Sequence, residues 1–293
     1  MKVRKFINVQ QIIFLGPVNI YLTFWTLFPL LYMVYLSLTN WKIPFPRKFI
    51  WEENYVEALS DPLFRYSFAA TFGYALAVSF IELLLGFGVA LLLTQRSLLS
   101  TIARPLLIVP MVLTPIVTAM MWRFLFNPNF GPLNYMVGLV GLGPYDWLGS
   151  TESVWASLIL VDVWQWMPFP ALLILSGMHS LPEDIFEAAH VDGARGWQRL
   201  FFITVPMLRP LLLAAFVLRF LDALKTFDAI FVLTRGGPGT TTELLSFHIY
   251  RLGLGQFFRI GYGASMSILV LLAALVMSLL FAALVKQEEL QSG

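Results

Sequence analysis

Seven ionisable side chains interrupt stretches of the chain that are otherwise almost wholly apolar: Glu82, Arg123, Asp162, Arg219, Asp222, Lys225 and Asp228. Such a group costs about 2.5–3.5 kcal/mol at the middle of a membrane helix, so it marks a packing device or a pathway. Four of them fall within one short stretch. Arg219 and Asp222 are spaced i,i+3, as are Asp222 and Lys225, and Lys225 and Asp228. That spacing places them near one helix face, within pairing reach. One use for the set is a self-neutralising ladder that fixes helix packing. The other is a polar stripe along a solute pathway. Lys225 between two aspartates is also the composition of an ion relay.

Other chemistries are poorly served. The chain has no cysteine, which removes disulfides, thiol catalysis and thiolate metal sites. His179, His190 and His248 are far apart in sequence and form no metal-ligand spacing. Neither a Ser/His pair nor an H-E-x-x-H motif stands out, so a membrane-embedded enzyme is not expected. Gly236-Gly237-Pro238-Gly239 is glycine-rich, but no Lys-Ser/Thr follows, so it is not a phosphate-binding loop. Turn chemistry reads it as a tight turn instead. A net charge of +2 is too small to argue for nucleic acid.

The elements that would position these groups are membrane spans. Of 293 residues, 58% are hydrophobic and only 12% charged, against roughly 25% charged in soluble domains. Mean hydropathy is +0.77. A spanning helix needs about 20 apolar residues, and six stretches qualify: 12–38, 68–93, 102–126, 154–178, 211–233 and 264–285. The first is too long for the core of a signal peptide and lacks a small-residue cleavage site, so it reads as an uncleaved span. The third carries Pro105, Pro110 and Pro115, and the fourth Pro168 and Pro170. Proline inside a helix removes a donor and bends it. In a membrane such bends are tolerated where neighbours or a cavity satisfy the freed carbonyls.

Orientation follows from loop Lys and Arg. With the N-terminus inside, nine lie inside (Lys2, Arg4, Lys5, Arg96, Arg104, Arg195, Arg199, Arg209, Lys286) and seven outside (Lys42, Arg47, Lys48, Arg65, Arg235, Arg251, Arg259). Both termini are therefore expected in the cytoplasm.

One inside loop, 180–210, has its own helical grammar. Ser180-Leu181-Pro182-Glu183 has the form of a capping box with proline in the first turn. A short helix through Glu187-Ala188-Ala189-His190 follows, and Gly193 can supply the left-handed residue that ends it. A second amphipathic piece, 197–203, runs into Val205-Pro206.

The loop resembles the EAA loop of binding-protein-dependent ABC import permeases. Glu187-Ala188-Ala189, three residues, Gly193, nine residues and Ile203-Thr204-Val205-Pro206 match its pattern, with valine in place of one leucine. The string Glu187 to Ala194, with Trp197-Gln198, is similar to the carbohydrate branch, which holds maltose-type and glycerol-phosphate-type permeases. Glu53-Asn54-Tyr55, the run Trp122 to Pro128 with Phe130-Gly131, and the run Leu233 to Gly239 with Thr242 fit the same resemblance in order along the chain.

The resemblance implies an all-α membrane protein: six transmembrane helices in a single permease domain over 1–293, with a cytoplasmic coupling loop at 180–210 between helices 4 and 5. It implies that Glu187, Ala188, Ala189, Asp192, Gly193 and Ala194 couple to an ATPase. It implies solute contacts from Asp222, Lys225 and Thr226, and from Gln165, Trp166 and Phe169; Asp228 extends the polar stripe. Maltose-type permeases favour amides in the fifth span, a departure here. The implied partners are a second permease forming a heterodimer, two ATP-binding cassette subunits, an extracytoplasmic solute-binding protein and the lipid bilayer, with no nucleic acid. No cofactor is expected on this chain, since ATP and Mg would sit on the ATPase subunits. It would be a non-catalytic subunit in a bacterial inner membrane. From the residues alone, an ion-coupled secondary transporter stays open beside this reading.

Overall fold

The computed structural model describes residues 9–95 and 97–292, with side chains described from 14 to 95, at 97–98 and from 100 to 283. Lys2, Arg4, Lys5 and Arg96, and the side chain of Lys286, lie outside the described residues. Among the described residues the regular structure is helical, apart from one isolated bridge between Thr39 and Phe49. The helices are α1 (Val9–Ser37), α2 (Glu53–Ser60), α3 (Pro62–Thr94), α4 (Leu98–Val112), α5 (Pro115–Leu125), α6 (Pro132–Leu139) and α7 (Val154–Trp166). They continue with α8 (Pro168–His179), α9 (Glu183–Val191), α10 (Gly196–Arg199), α11 (Val205–Ala223), α12 (Leu245–Tyr250) and α13 (Ile260–Ser292).

Four helical runs are long and apolar enough to cross a membrane: Phe14–Ser37, Pro62–Thr94, Gly196–Ala223 and Ile260–Ala283. Two bent pairs bring the number to six. The α4–α5 pair bends by 97° and the α7–α8 pair by 42°. The prolines explain both. Leu113 and Thr114 are extended, at ψ 139° and 140°, and α5 restarts with Pro115 in its first turn. A residue before proline is pushed out of helical geometry, which is what Thr114 shows. At the second bend Met167 stays helical and Pro168 begins α8, so the chain bends without unwinding.

The fifth span differs from the hydropathy reading. It starts at Gly196 and ends at Ala223, whereas the apolar run continues to residue 233. The second piece of the 180–210 loop is therefore the first part of this span. A π-helical turn at Leu200–Thr204 joins α10 to α11, just ahead of Pro206. After Ala223 the helix breaks, and a second π-helical turn occupies Ile230–Thr234.

The chain divides into two compact units. The first takes in the described residues up to Asp61 together with Ile249–Leu272. Asn54, buried on α2, organises it by donating to the carbonyls of Ser37 and Thr39, both at 2.8 Å, which closes the end of α1. Tyr55 and Ser37 share a hydroxyl contact at 2.6 Å. Arg259 makes a two-pronged pair with Glu57 at 2.8 and 2.5 Å and lies over the Tyr262 ring. The hydrogen bonds to Glu57 hold the Arg259 guanidinium above its ordinary pKa.

The second unit takes in Pro62–His248 and the described residues from Ala273 on. Its core includes Tyr74, Val78, Trp122, Phe126, Leu158, Phe220 and Ile230. A smaller cluster, with Ala90, Ile174, Leu175 and Leu208, joins the other ends of α3, α8 and α11. The α3–α8 approach is close enough to require glycine: a Cβ on Gly86 would meet the Ala171 nitrogen at 2.9 Å and the Met167 oxygen at 3.3 Å. A Cβ on Gly88 would meet nothing within 4 Å. Gly86→Val is therefore expected to lose about 1–3 kcal/mol of stability by overpacking, read as a lower Tm in detergent. Gly88→Val should keep the parent Tm.

Candidate solute site and coupling segment

Arg219 lies on α11 with a side chain only 4% exposed. Its Nε donates to Glu82 Oε2 at 2.5 Å and one Nη to Glu82 Oε1 at 3.0 Å, a two-pronged bond to α3. The same Nη donates to Asp162 of α7 at 2.9 Å. The other Nη donates to Asp222 on its own helix at 2.9 Å. Tyr74 of α3 donates to the second oxygen of Asp162 at 2.8 Å, and the Trp166 ring covers the guanidinium at 5.2 Å. Arginine suits this position because its planar fork serves several carboxylates at once and stacks on an aromatic face.

The sequence ladder is thus partly found. Arg219–Asp222 and Asp222–Lys225 pair, the latter at 3.2 Å. Lys225–Asp228 does not, because the helix ends at Ala223 and the i,i+3 geometry ends with it. The Asp228 side chain makes no hydrogen bond or ion pair among the described residues. Glu82 and Asp162 belong to the same cluster, which the spacing within one helix could not reveal. The available signal was that both are charges in spans and so need partners from elsewhere. Arg123, the remaining intramembrane charge, donates to the Val232 carbonyl at 3.0 Å and so caps the second π-helical turn.

Beside the Arg219 cluster lies a cavity of about 210 Å³. It gathers Gln165 and Trp166 from the end of α7 with Asp222, Lys225, Thr226 and Asp228 from the end and break of the fifth span. Phe169, one turn further on in α8, does not line it. Non-helical backbone at membrane depth is tolerated where it lines a cavity or is buried in protein, and the 224–227 break meets that condition. Gln165 is also structural: its Nε2 donates at 3.0 Å to the Leu113 carbonyl, which the α4–α5 bend leaves open.

The 180–210 segment is built as a rigid corner. Asp192 ends α9, and Gly193 follows at φ +75°. The Ala194 N–H bonds to Ala189 at 2.9 Å and the Gly193 N–H to His190 at 3.0 Å, the paired bonds of a Schellman motif. Gln198 then accepts from the Arg195 N–H at 2.7 Å and starts α10. At the other end the expected capping box is absent. Ser180 turns its hydroxyl back to the Gly177 carbonyl at 2.8 Å, and Pro182 is the N-cap of α9 rather than a first-turn residue. Glu187, Ala188, Asp192 and Gly193 are exposed, and Ala189 and Ala194 half-buried. A groove of about 1180 Å³, lined by Thr94, Met178, Phe186, Glu187, His190 and Arg199 among others, opens beside the segment.

Four likenesses bear on this arrangement. The family described as "Binding-protein-dependent transport system inner membrane component" matches residues 82–288. The trehalose/maltose transport system permease protein MalF of Thermococcus litoralis is 36% identical over 235 residues, covering 79% of this chain and 77% of that protein. Two crystal structures share the fold at 24% identity. One is of a bacterial alginate ABC transporter in complex with an alginate-bound periplasmic protein, with a TM-score of 0.77 over 91% of this chain and 90% of that one. The other is of a bacterial ABC transporter involved in import of the acidic polysaccharide alginate, with a TM-score of 0.76 over 92% and 93%.

The cluster sets a stability test. Removing one partner of a buried charge pair leaves the other uncompensated, at about 3–5 kcal/mol. Arg219→Met should lower the Tm in detergent accordingly. Adding Glu82→Met should restore part of the loss, since the fully buried carboxylate then goes too. A double variant no more stable than the single one would show that the pair is not what Arg219 contributes.

Proposed function

The chain belongs to the family of binding-protein-dependent transport system inner membrane components, and on that premise we propose that it is one permease half of an ATP-driven importer for a sugar, polyol or related carbohydrate. The relative named for trehalose and maltose and the fold neighbours named for alginate support a carbohydrate cargo. The observation that carries the reading is the cavity at the broken fifth span. It sets aromatic faces (Trp166, Phe227), an amide (Gln165), a hydroxyl (Thr226) and carboxylates side by side. Aromatic faces suit the apolar faces of sugar rings, and the polar groups can bond hydroxyls.

The motor lies on other chains. The sequence has no phosphate-binding loop, so ATP and Mg would bind to two ATPase subunits. Glu187, Ala188, Ala189, Asp192, Gly193 and Ala194 would form the coupling surface, with the small alanines admitting close backbone approach. The part of the loop ahead of Gly196 and both termini would then lie in the cytoplasm, with α9 docked on an ATPase. A second, different permease chain would complete the pathway, and an extracytoplasmic binding protein would deliver solute to it. Closure of the ATPase pair would then drive alternating access by moving α9 as a rigid lever. The relatives are named as transport-system permeases or ABC transporters, which favours this reading over an ion-coupled transporter.

Two measurements test it. Extracted from its native membrane, the chain should bring an ATP-binding subunit with it; isolation without one would sink the assignment. Gly193 tests the lever. Its left-handed backbone costs a residue with a Cβ about 1–2 kcal/mol, least for asparagine. Space is not limiting, since a Cβ there meets nothing within 4 Å. Gly193→Val should reduce ATP-driven uptake by about tenfold or more with membrane insertion intact, and Gly193→Asn should keep most of it.

A further inference from the structure

Family and relatives leave the charge of the cargo open, since they include a protein named for uncharged disaccharides and one for an acidic polysaccharide. We propose that this permease selects uncharged polyhydroxylated solutes against anionic ones, and that Asp228 and Asp222 are the residues that set the selection. The proposal rests on the carbohydrate-permease reading and narrows it to a substrate class.

The carboxylates of Asp162, Asp222 and Asp228 line the cavity, and Glu82 stands behind them on Arg219. Two cations, Arg219 and Lys225, oppose these four acids, leaving a formal excess of negative charge. Arg219 is not available to an anionic solute, and the charge of Lys225 is offset by its pairing with Asp222. Four of the five guanidinium N–H groups of Arg219 are committed to Glu82, Asp162 and Asp222, and the side chain is buried under Trp166. Lys225 is paired with Asp222 at 3.2 Å. Asp228 is the opposite case: half-buried, on the cavity wall, without a side-chain hydrogen bond or ion pair among the described residues. An ionised carboxylate only accepts hydrogen bonds, so it needs a ligand that donates. Neighbouring hydroxyls of a polyol meet that need. A phosphate, sulfonate or uronate brings a like charge up to carboxylates that are already in excess.

The test is equilibrium binding to the detergent-purified complex of this chain with its partner permease and ATPase subunits. The binding protein is left out because it would impose its own selection. Two probe pairs serve, each sharing a skeleton and differing in charge: trehalose with trehalose 6-phosphate, and maltose with maltose 6′-phosphate. The neutral member should bind at least about tenfold more tightly, and Asp228→Asn should narrow that ratio by about threefold or more. Asp222→Asn should narrow it too. An anionic member bound as tightly as its neutral partner, in the parent complex, overturns the charge selection while the carbohydrate reading stands. A ratio unmoved by both variants overturns the assignment to these residues. Binding of neither pair overturns the carbohydrate reading, and the selection with it.

Discussion

A guanidinium inside an apolar bundle has to be surrounded by acceptors, and that requirement organises the second unit. Arg219 reaches Glu82 on α3, Asp162 on α7 and Asp222 on its own helix, so three elements distant in sequence are fixed at one point. Tyr74 occupies the remaining oxygen of Asp162, and Trp166 closes the face. Burying charges is expensive, and such a set is tolerated only when each member finds its partners. The arrangement therefore specifies where α11 lies against α3 and α7 more tightly than apolar packing would. The fifth span stops one turn beyond Arg219, and its broken backbone opens on the cavity that shares Asp162 and Asp222 with the cluster.

What the sequence disclosed depended on the range of each signal. Glu187 to Gly193 was readable because a helix, its terminating glycine and the next helix are local events with fixed spacing. The six apolar runs were readable because lipid demands length. The bend at Leu113 and Thr114 was foreshadowed by three prolines, but its 97° angle depends on neighbours such as Gln165. The end of the fifth span was misplaced because hydropathy stays high through Phe231-Val232-Leu233, where the backbone is already a π-helical turn. The Arg219–Glu82 bond joins positions 137 apart, and no periodicity reports a contact of that range. Ser180 shows the converse: a good local motif lost to the Gly177 carbonyl next to it.

On the proposed function, one helical run links the two working regions. From Gly196 to Ala223 there are 28 residues in continuous helical geometry, about 42 Å at 1.5 Å per residue. One end adjoins the Schellman corner at Gly193, and the other holds Arg219 and Asp222 beside the cavity. A tilt imposed at α9 would reach the solute site through a single stiff element. The π-helical turn at Leu200–Thr204 is the wide place in that element, and such turns sit frequently at functional sites.

The division between committed and uncommitted charges at the cavity also bears on how such a site could diversify. Glu82, Asp162 and Arg219 constrain one another, so a change at one leaves the others stranded and must be matched elsewhere. Asp228 has no such obligations, and Lys225, 75% exposed, holds only one. A lineage could alter the rim residue by residue while the frame stays still. New cargo preferences would then be reachable by single steps, without passing through an unfolded intermediate sequence.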